Sequence, residues 1–282
     1  MAFSLSALIP KRFRTDRVIV PVVRLSGAIG MSGPLRSGMT LANLEAPLER
    51  AFAIKSAPVV AILINSPGGA AVQSHQIFQR IRALAEENDK KVIAAVEDVA
   101  ASGGYMIALA GDEIIVDRSS IVGSIGVIAA SFGFPKLLER IGVERRVHTA
   151  GEKKMMLDPF QAEQEEDVVR LKSLQKDVHA AFIDLVKSRR GAALVDDPDL
   201  FTGAFWSGER AVELGLVDQV GELHTLVKQR YGKKARIKVM TAERGMLRRR
   251  LGIADRTDRI SLAAEHAISV IEERMLWNRF GL

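Results

Sequence analysis

The sequence predicts an α/β fold whose strands are joined by helical crossovers. Two observations carry this. Pro58–Asn65 (PVVAILIN) and Lys91–Glu97 (KVIAAVE) are short, nearly continuous apolar runs, the pattern of strands buried on both faces of a parallel sheet. Each run leads through a glycine-rich turn into a helical stretch, and strand and helix alternate along the first half of the chain.

The elements follow in order. Arg17–Leu25 is rich in Val and Ile and reads as a strand, with Gly27, Gly30, Gly33 and Gly38 punctuating the loop after it. Thr40 suits the cap of a helix reaching about Ile54. After the first buried run, S-P-G-G opens a helix from about Ala70 to Glu87. After the second, a helix begins near Ser102 and stops at Gly111. Glu113–Asp117 is a short strand, Ile121–Ala130 a glycine-punctuated apolar stretch, Pro135–Ile141 a short helix and Glu144–His148 a strand. Pro159–Arg190 then reads as a long helix, with Val168, Leu171, Leu174, Val178, Phe182 and Leu185 at spacings of three and four. Ser207–Leu214 and Glu222–Tyr231 are further helices, and Ala235–Met240 a late strand. Thr257–Met275 has the pattern of an amphipathic helix. The organisation expected is a tail (1–16), one main domain (17–240) and a helical extension (241–282).

Composition narrows the classes of function. The chain has 282 residues and no cysteine, so disulfides, thiolate metal sites and a cysteine nucleophile are excluded. The formal net charge is +6, but acidic residues are interspersed throughout, and aromatic residues make up only 5%. Nucleic-acid binding is therefore not expected. No apolar stretch approaches the length of a membrane span. The start, MAFSLSALIPKRFR, lacks a leading basic region and an A-x-A site, and reads as a frayed tail or a short surface anchor. A cytoplasmic or peripherally membrane-associated protein is expected.

Ser102 follows a buried strand, opens a helix and is flanked by Ala101, Gly103 and Gly104. A nucleophile is useful there, because helix N-termini present free N–H groups and small neighbours admit a substrate backbone. An N-cap serine fits the same position. The glycines of N-S-P-G-G (Asn65–Gly69) expose backbone amides, and Gly69 with Gly103 could form an oxyanion hole. An ordinary strand-to-helix turn would use the same residues. None of the five histidines (His75, His148, His179, His224, His266) lies in a constrained loop near Ser102, and His148 is the best of them as a base. Lysine is the other base known to serve a serine. Lys153 and Lys154 sit in a turn begun by Gly151, and Met155, Met156, Leu157 and Phe160 offer apolar cover that would favour a neutral amine. Solvated loop lysines fit as well. Ser124, in G-S-I-G, is a polar residue in an apolar stretch and would seek the lysine amine or a backbone carbonyl.

Taken together, five motifs in order resemble the short, single-domain form of the signal peptide peptidase A (protease IV) family. They are I-N-S-P-G-G at Ile64–Gly69, A-A-S-G-G-Y at Ala100–Tyr105, G-S-I-G-V-I at Gly123–Ile128, G-E-K-K at Gly151–Lys154, and F-x-G followed by A-V-E-L-G-L-V-D between Phe201 and Asp218. The resemblance covers about Val18 to Gly221. It implies a crotonase-like fold and hydrolysis of hydrophobic peptides, such as cleaved signal peptides, without metal or cofactor. It implies Ser102 as nucleophile, Lys154 as base, Ser124 as the serine that orients the lysine, and Gly69 and Gly103 as oxyanion donors. It also implies a ring or bowl of subunits, in which Ser102 and Lys154 need not meet within one chain. Typical bacterial members carry an N-terminal membrane anchor and none is visible here, so an extracytoplasmic location is not expected from the resemblance alone. The extension, with Arg248–Arg250 before its helix, is expected to dock on a neighbouring subunit or a membrane.

Three other readings compete. A crotonase-type acyl-CoA enzyme shares the fold and would use Glu97 or Asp98, but leaves Ser102 and Lys154 idle. A Clp-like protease shares S-P-G-G and A-S, yet the place of its histidine is Val127 here. A non-catalytic scaffold would have no use for Ser102, Ser124 and Lys154.

Overall fold

The computed structural model describes residues 17–30, 38–241 and 274–281. Eight strands form one sheet in the order β6-β5-β3-β2-β1-β8, with β4 and β7 branching from β3. They are β1 (Ile19–Ser26), β2 (Val59–Ser66), β3 (Lys91–Ala101), β4 (Glu113–Val116), β5 (Ile121–Gly123), β6 (Phe205–Ser207), β7 (Gln219–Val220) and β8 (Arg236–Met240). All pairings are parallel except β5 with β6. The helices between them are α1 (Leu41–Phe52), α2 (Ala71–Glu87), α3 (Gly103–Ala108), α4 (Pro135–Arg140), α5 (Glu165–Arg190), α6 (Gly208–Glu213) and α7 (Leu223–Tyr231).

Burial explains the strand sequences. Both alternating sets of β2 and β3 side chains are covered, so neither strand shows a polar face. One face of the sheet packs on α1, α2, α3, α5 and α6 through residues such as Val60, Ile62, Ile77, Ile81, Leu109 and Phe182. The other face packs on α7 through Val22, Ala61, Ile93, Ala95, Leu226 and Val227. Helix α7 is capped by the Glu222 carboxylate, which accepts from the His224 and Thr225 amides at 2.7 Å.

Strand β3 is longer than its apolar run. Its first half pairs with β4 and its second half, Val99–Ala101, with β5, so its C-terminal end forms a separate corner of the sheet. The strands β6 and β7 are too short for any periodicity to reveal. The strand expected at Glu144–His148 is absent: the segment is irregular and exposed, with no neighbouring strand edge to supply a ladder. Only Ile121–Gly123 of the stretch to Ala130 is strand, and the helix expected from Pro159 begins at Glu165. The expected helix Thr257–Met275 lies outside the described residues except for its end. Residues 274–281 pack on this chain's own sheet.

Short helix α3 is held from its middle and from the turn that follows it. The carbonyls of the turn just after it are bonded by arginines: Arg189 donates to Leu109 and Gly111, and Arg82 to Ala110. From its middle, the fully buried Tyr105 hydroxyl donates to the Leu216 carbonyl at 2.7 Å, and burial holds the phenol well above its usual pKa. This bond ties the helix after Ser102 to the turn between α6 and β7, and so links two of the sequence motifs. Removing it with Tyr105→Phe leaves a buried carbonyl without its donor and should lower unfolding stability by about 1–2 kcal/mol in urea denaturation, with no change in fold.

Candidate active site

The sheet brings three glycine-bearing segments to the C-terminal ends of β2 and β3. Ser102 stands at the head of α3 with φ 50° and ψ −118°, a conformation that L side chains rarely adopt. Such a residue typically costs about 1–3 kcal/mol and persists only where its surroundings impose it. Here the Ser102 amide donates to the Gly123 carbonyl at 2.8 Å, directly across the β3–β5 pairing of Ala101 with Gly123. The side chain is half-buried.

The S-P-G-G turn faces the same point. A Cβ placed on Gly68 would stand 2.9 Å from Ser102 Cβ and 3.1 Å from the Gly103 amide nitrogen, so the turn lies against the head of α3. Gly69 has φ +146°, and a Cβ there would reach within 2.2 Å of the Ile29 carbonyl oxygen. Ile29 clasps the turn on both sides, its amide donating to Gly68 and its carbonyl accepting from Ala70, each at 2.9 Å. Ser66 adds a third tie: its hydroxyl donates to the Gly27 carbonyl at 2.7 Å and accepts from the Gly68 amide at 3.2 Å. Among the described residues, the amides of Gly69 and Gly103 have no hydrogen-bond acceptor. Two free amides beside a strained serine can receive a developing oxyanion.

Ser124 is one residue beyond Gly123 and is buried at 3% exposure, also with a left-handed backbone (φ 53°). Its amide donates to the Ala204 carbonyl at 2.6 Å, just before β6. His179 of α5 reaches the next residue, its Nε2 bonding the Ile125 carbonyl at 3.1 Å. Sequence reasoning gave no role to His179 or Ser66, because one lies within a long helix and the other at a strand end, where nothing marks either as special.

Lys154 stands apart. Beyond Gly126 the chain leaves the body in a long excursion. It closes on itself where the Phe134 amide donates to Pro159, the Phe134 and Phe160 rings meet at 5.6 Å, and Arg145 pairs with Asp158. Lys154 lies exposed in a turn of this arm, and among the described residues no hydrogen bond or ion pair joins it to Ser102 or Ser124. The apolar cover expected from the sequence is missing within one chain: Met155 and Met156 are half-buried, whereas Leu157 and Phe160 are exposed. Lys153 is already paired with Glu166, and that pair lowers the Glu166 carboxyl below its usual range.

Comparison with known proteins decides the family. The model of "Peptidase family S49" matches residues 85–238, more than half of the chain, and that of "ClpP-like SDH-type serine proteinase" matches residues 9–160. The chain belongs to peptidase family S49. Within it, the chain is a member of the signal peptide peptidase A group of serine peptidases. It is 31% identical over 210 residues to "Serine protease SPPA, chloroplastic" of Arabidopsis thaliana, covering 72% of this chain and 31% of that protein. It is 56% identical over 286 residues to "Na(+)/H(+) antiporter NhaA" of Brucella abortus, covering 99% of this chain. This S49 chain spans only 39% of that protein's length. Among the described residues no helix is long and apolar enough to cross a membrane. Among solved structures, a mutant of the "1510-N membrane-bound stomatin-specific protease" in complex with a substrate peptide superposes with a TM-score of 0.50 at 15% identity. The match covers 89% of this chain and 99% of that one, and it shows the shared fold.

The packing around Gly103 yields a test of the geometry. A Cβ there would meet Ser74 Oγ at 2.2 Å and Ser74 Cβ at 3.2 Å. Gly103→Ala should therefore displace the head of α3 and cut peptide hydrolysis at least about a hundredfold. Adding Ser74→Gly, which removes both atoms, should recover part of the loss, measured as kcat against a fluorogenic peptide.

Proposed function

We propose that this chain is a serine endopeptidase of the Ser/Lys type, on a Clp/crotonase-type fold, that hydrolyses hydrophobic peptides such as cleaved signal peptides. The observation that carries the reading is the left-handed Ser102, set against two amides that have no acceptor among the described residues. In the mechanism, the Lys154 amine, held by the Ser124 hydroxyl, takes the proton from Ser102 Oγ as Oγ bonds to the scissile carbonyl carbon. The Gly69 and Gly103 amides hold the oxyanion. The lysine returns its proton to the departing amine as the C–N bond breaks, and water then resolves the acyl-enzyme.

The site is completed between subunits. The arm between Val127 and Phe160 exposes Ile128 and Phe132 at 70% and 71%, together with Leu137, Ile141 and Val143. An apolar surface of this kind marks an interface. A neighbour seated on it would remove water from Lys154, which favours the neutral amine that a base requires. The acyl-CoA alternative loses its acids, since Glu97 is held by Arg24 through two bonds of 3.0 Å and Asp98 accepts from Asn65 at 2.7 Å. Peripheral membrane contact belongs to the same reading, because the Brucella abortus relative, named as an antiporter, carries this segment within a much longer chain.

Hydrolysis of a fluorogenic hydrophobic peptide should fall by about three orders of magnitude or more in both Ser102→Ala and Lys154→Ala. Retained activity in Lys154→Ala would reassign the base. Mixing the two inactive variants as dissociated subunits and reassembling them should restore activity, up to about a quarter of wild type if each site draws one residue from each of two subunits. No recovery would place both residues in the same chain.

A further inference from the structure

Helix α7 covers only part of the sheet's second face, and the corner beside Ser102 is covered by residues remote in sequence. Val99 and Ala101 of β3 turn their side chains away from the main helical layer. Over them lie Trp277 and Phe280, which also pack against Ile121. The segment approaches as helical turns at 274–278 and ends on Gly281 with φ 75°. Phe280 is 8% exposed, and its ring meets that of Phe205 edge-on at 5.1 Å between centroids.

The three walls around this one ring are the three backbone segments that shape the site. Ala101 immediately precedes Ser102. Ile121 begins β5, whose Gly123 carbonyl accepts the Ser102 amide. Phe205 is the β6 residue paired with Gly123, and its neighbour Ala204 accepts the Ser124 amide. Strands β5 and β6 share only three residue pairs, too few to be rigid by themselves. Ser102 and Ser124 both hold left-handed backbones that relax if the corner loosens.

We infer that Phe280 is a positioning residue, a wedge that locks the β3–β5–β6 corner and so holds Ser102 and Ser124 in reactive geometry. The inference rests on the reading of Ser102 as the nucleophile. Truncating the ring leaves a cavity behind the corner, and a displacement of about 1 Å at a reacting group is enough to slow catalysis severely.

The test uses the full-length assembled protein and a fluorophosphonate probe, which phosphonylates reactive serines with loss of fluoride and so counts reactive sites. Wild type, Ser102→Ala, Phe280→Ala and Phe280→Leu are compared for labelling, kcat and KM per labelled site, and melting temperature. The expected result is a kcat per labelled site about tenfold or more lower in Phe280→Ala with KM within about twofold, and recovery of most of that loss in Phe280→Leu, which refills the cavity. Unchanged kcat per labelled site in Phe280→Ala, or a loss that only follows the folded fraction, overturns the inference and leaves Ser102 as nucleophile standing. Labelling that persists in Ser102→Ala overturns the nucleophile reading, and the inference with it.

Discussion

Everything at the candidate site depends on one hydrogen bond, from the Ser102 amide to the Gly123 carbonyl. It continues the β3–β5 ladder for one residue beyond the strand and bends the chain into a backbone that serine does not choose unaided. The bend does two things at once. It starts α3, whose first amide has no acceptor among the described residues, and it leaves the serine side chain half-buried. The Gly68–Gly69 turn presses against it from one side, while the Tyr105–Leu216 bond and the arginine-bonded carbonyls anchor the helix from the other. The strain is thus carried by a large part of the sheet.

Much of this was legible in the sequence. The buried strands β2 and β3 announce themselves as apolar runs, and the glycine turns after them identify where backbone must approach backbone closely. Gly69 and Gly103 have Cβ positions already occupied by Ile29 and Ser74, which is why those turns have no room for a larger residue. What the sequence did not disclose follows from range and length. Strand β6, three residues long, has no period to detect, yet it sets the Ser124 amide. His179 looks like any residue of a long helix until its ring is found on the Ile125 carbonyl. Phe280 is separated from Ala101 by most of the chain, and only the fold brings them together.

The lysine illustrates a different limit. Lys153 and Lys154 are indistinguishable in local composition, and apolar neighbours suggested burial for either. The structure separates them by partnership: Lys153 is taken by Glu166, and Lys154 is left exposed on the arm. Its surroundings in one chain are those of a surface residue. In the proposed role as base, Lys154 would need cover from whatever packs on the arm, and no local pattern of residues encodes that.

The contrast between the glycine-packed corner and the arm has a consequence for where the chain tolerates substitution. A Cβ added at Gly68, Gly69 or Gly103 would stand within 3.0 Å of existing atoms, so substitutions there carry a steric cost. The arm meets the body through few contacts and spends most of its side chains on solvent. Substitutions at the arm's exposed apolar positions, such as Ile128 and Phe132, should by contrast leave the folded core intact.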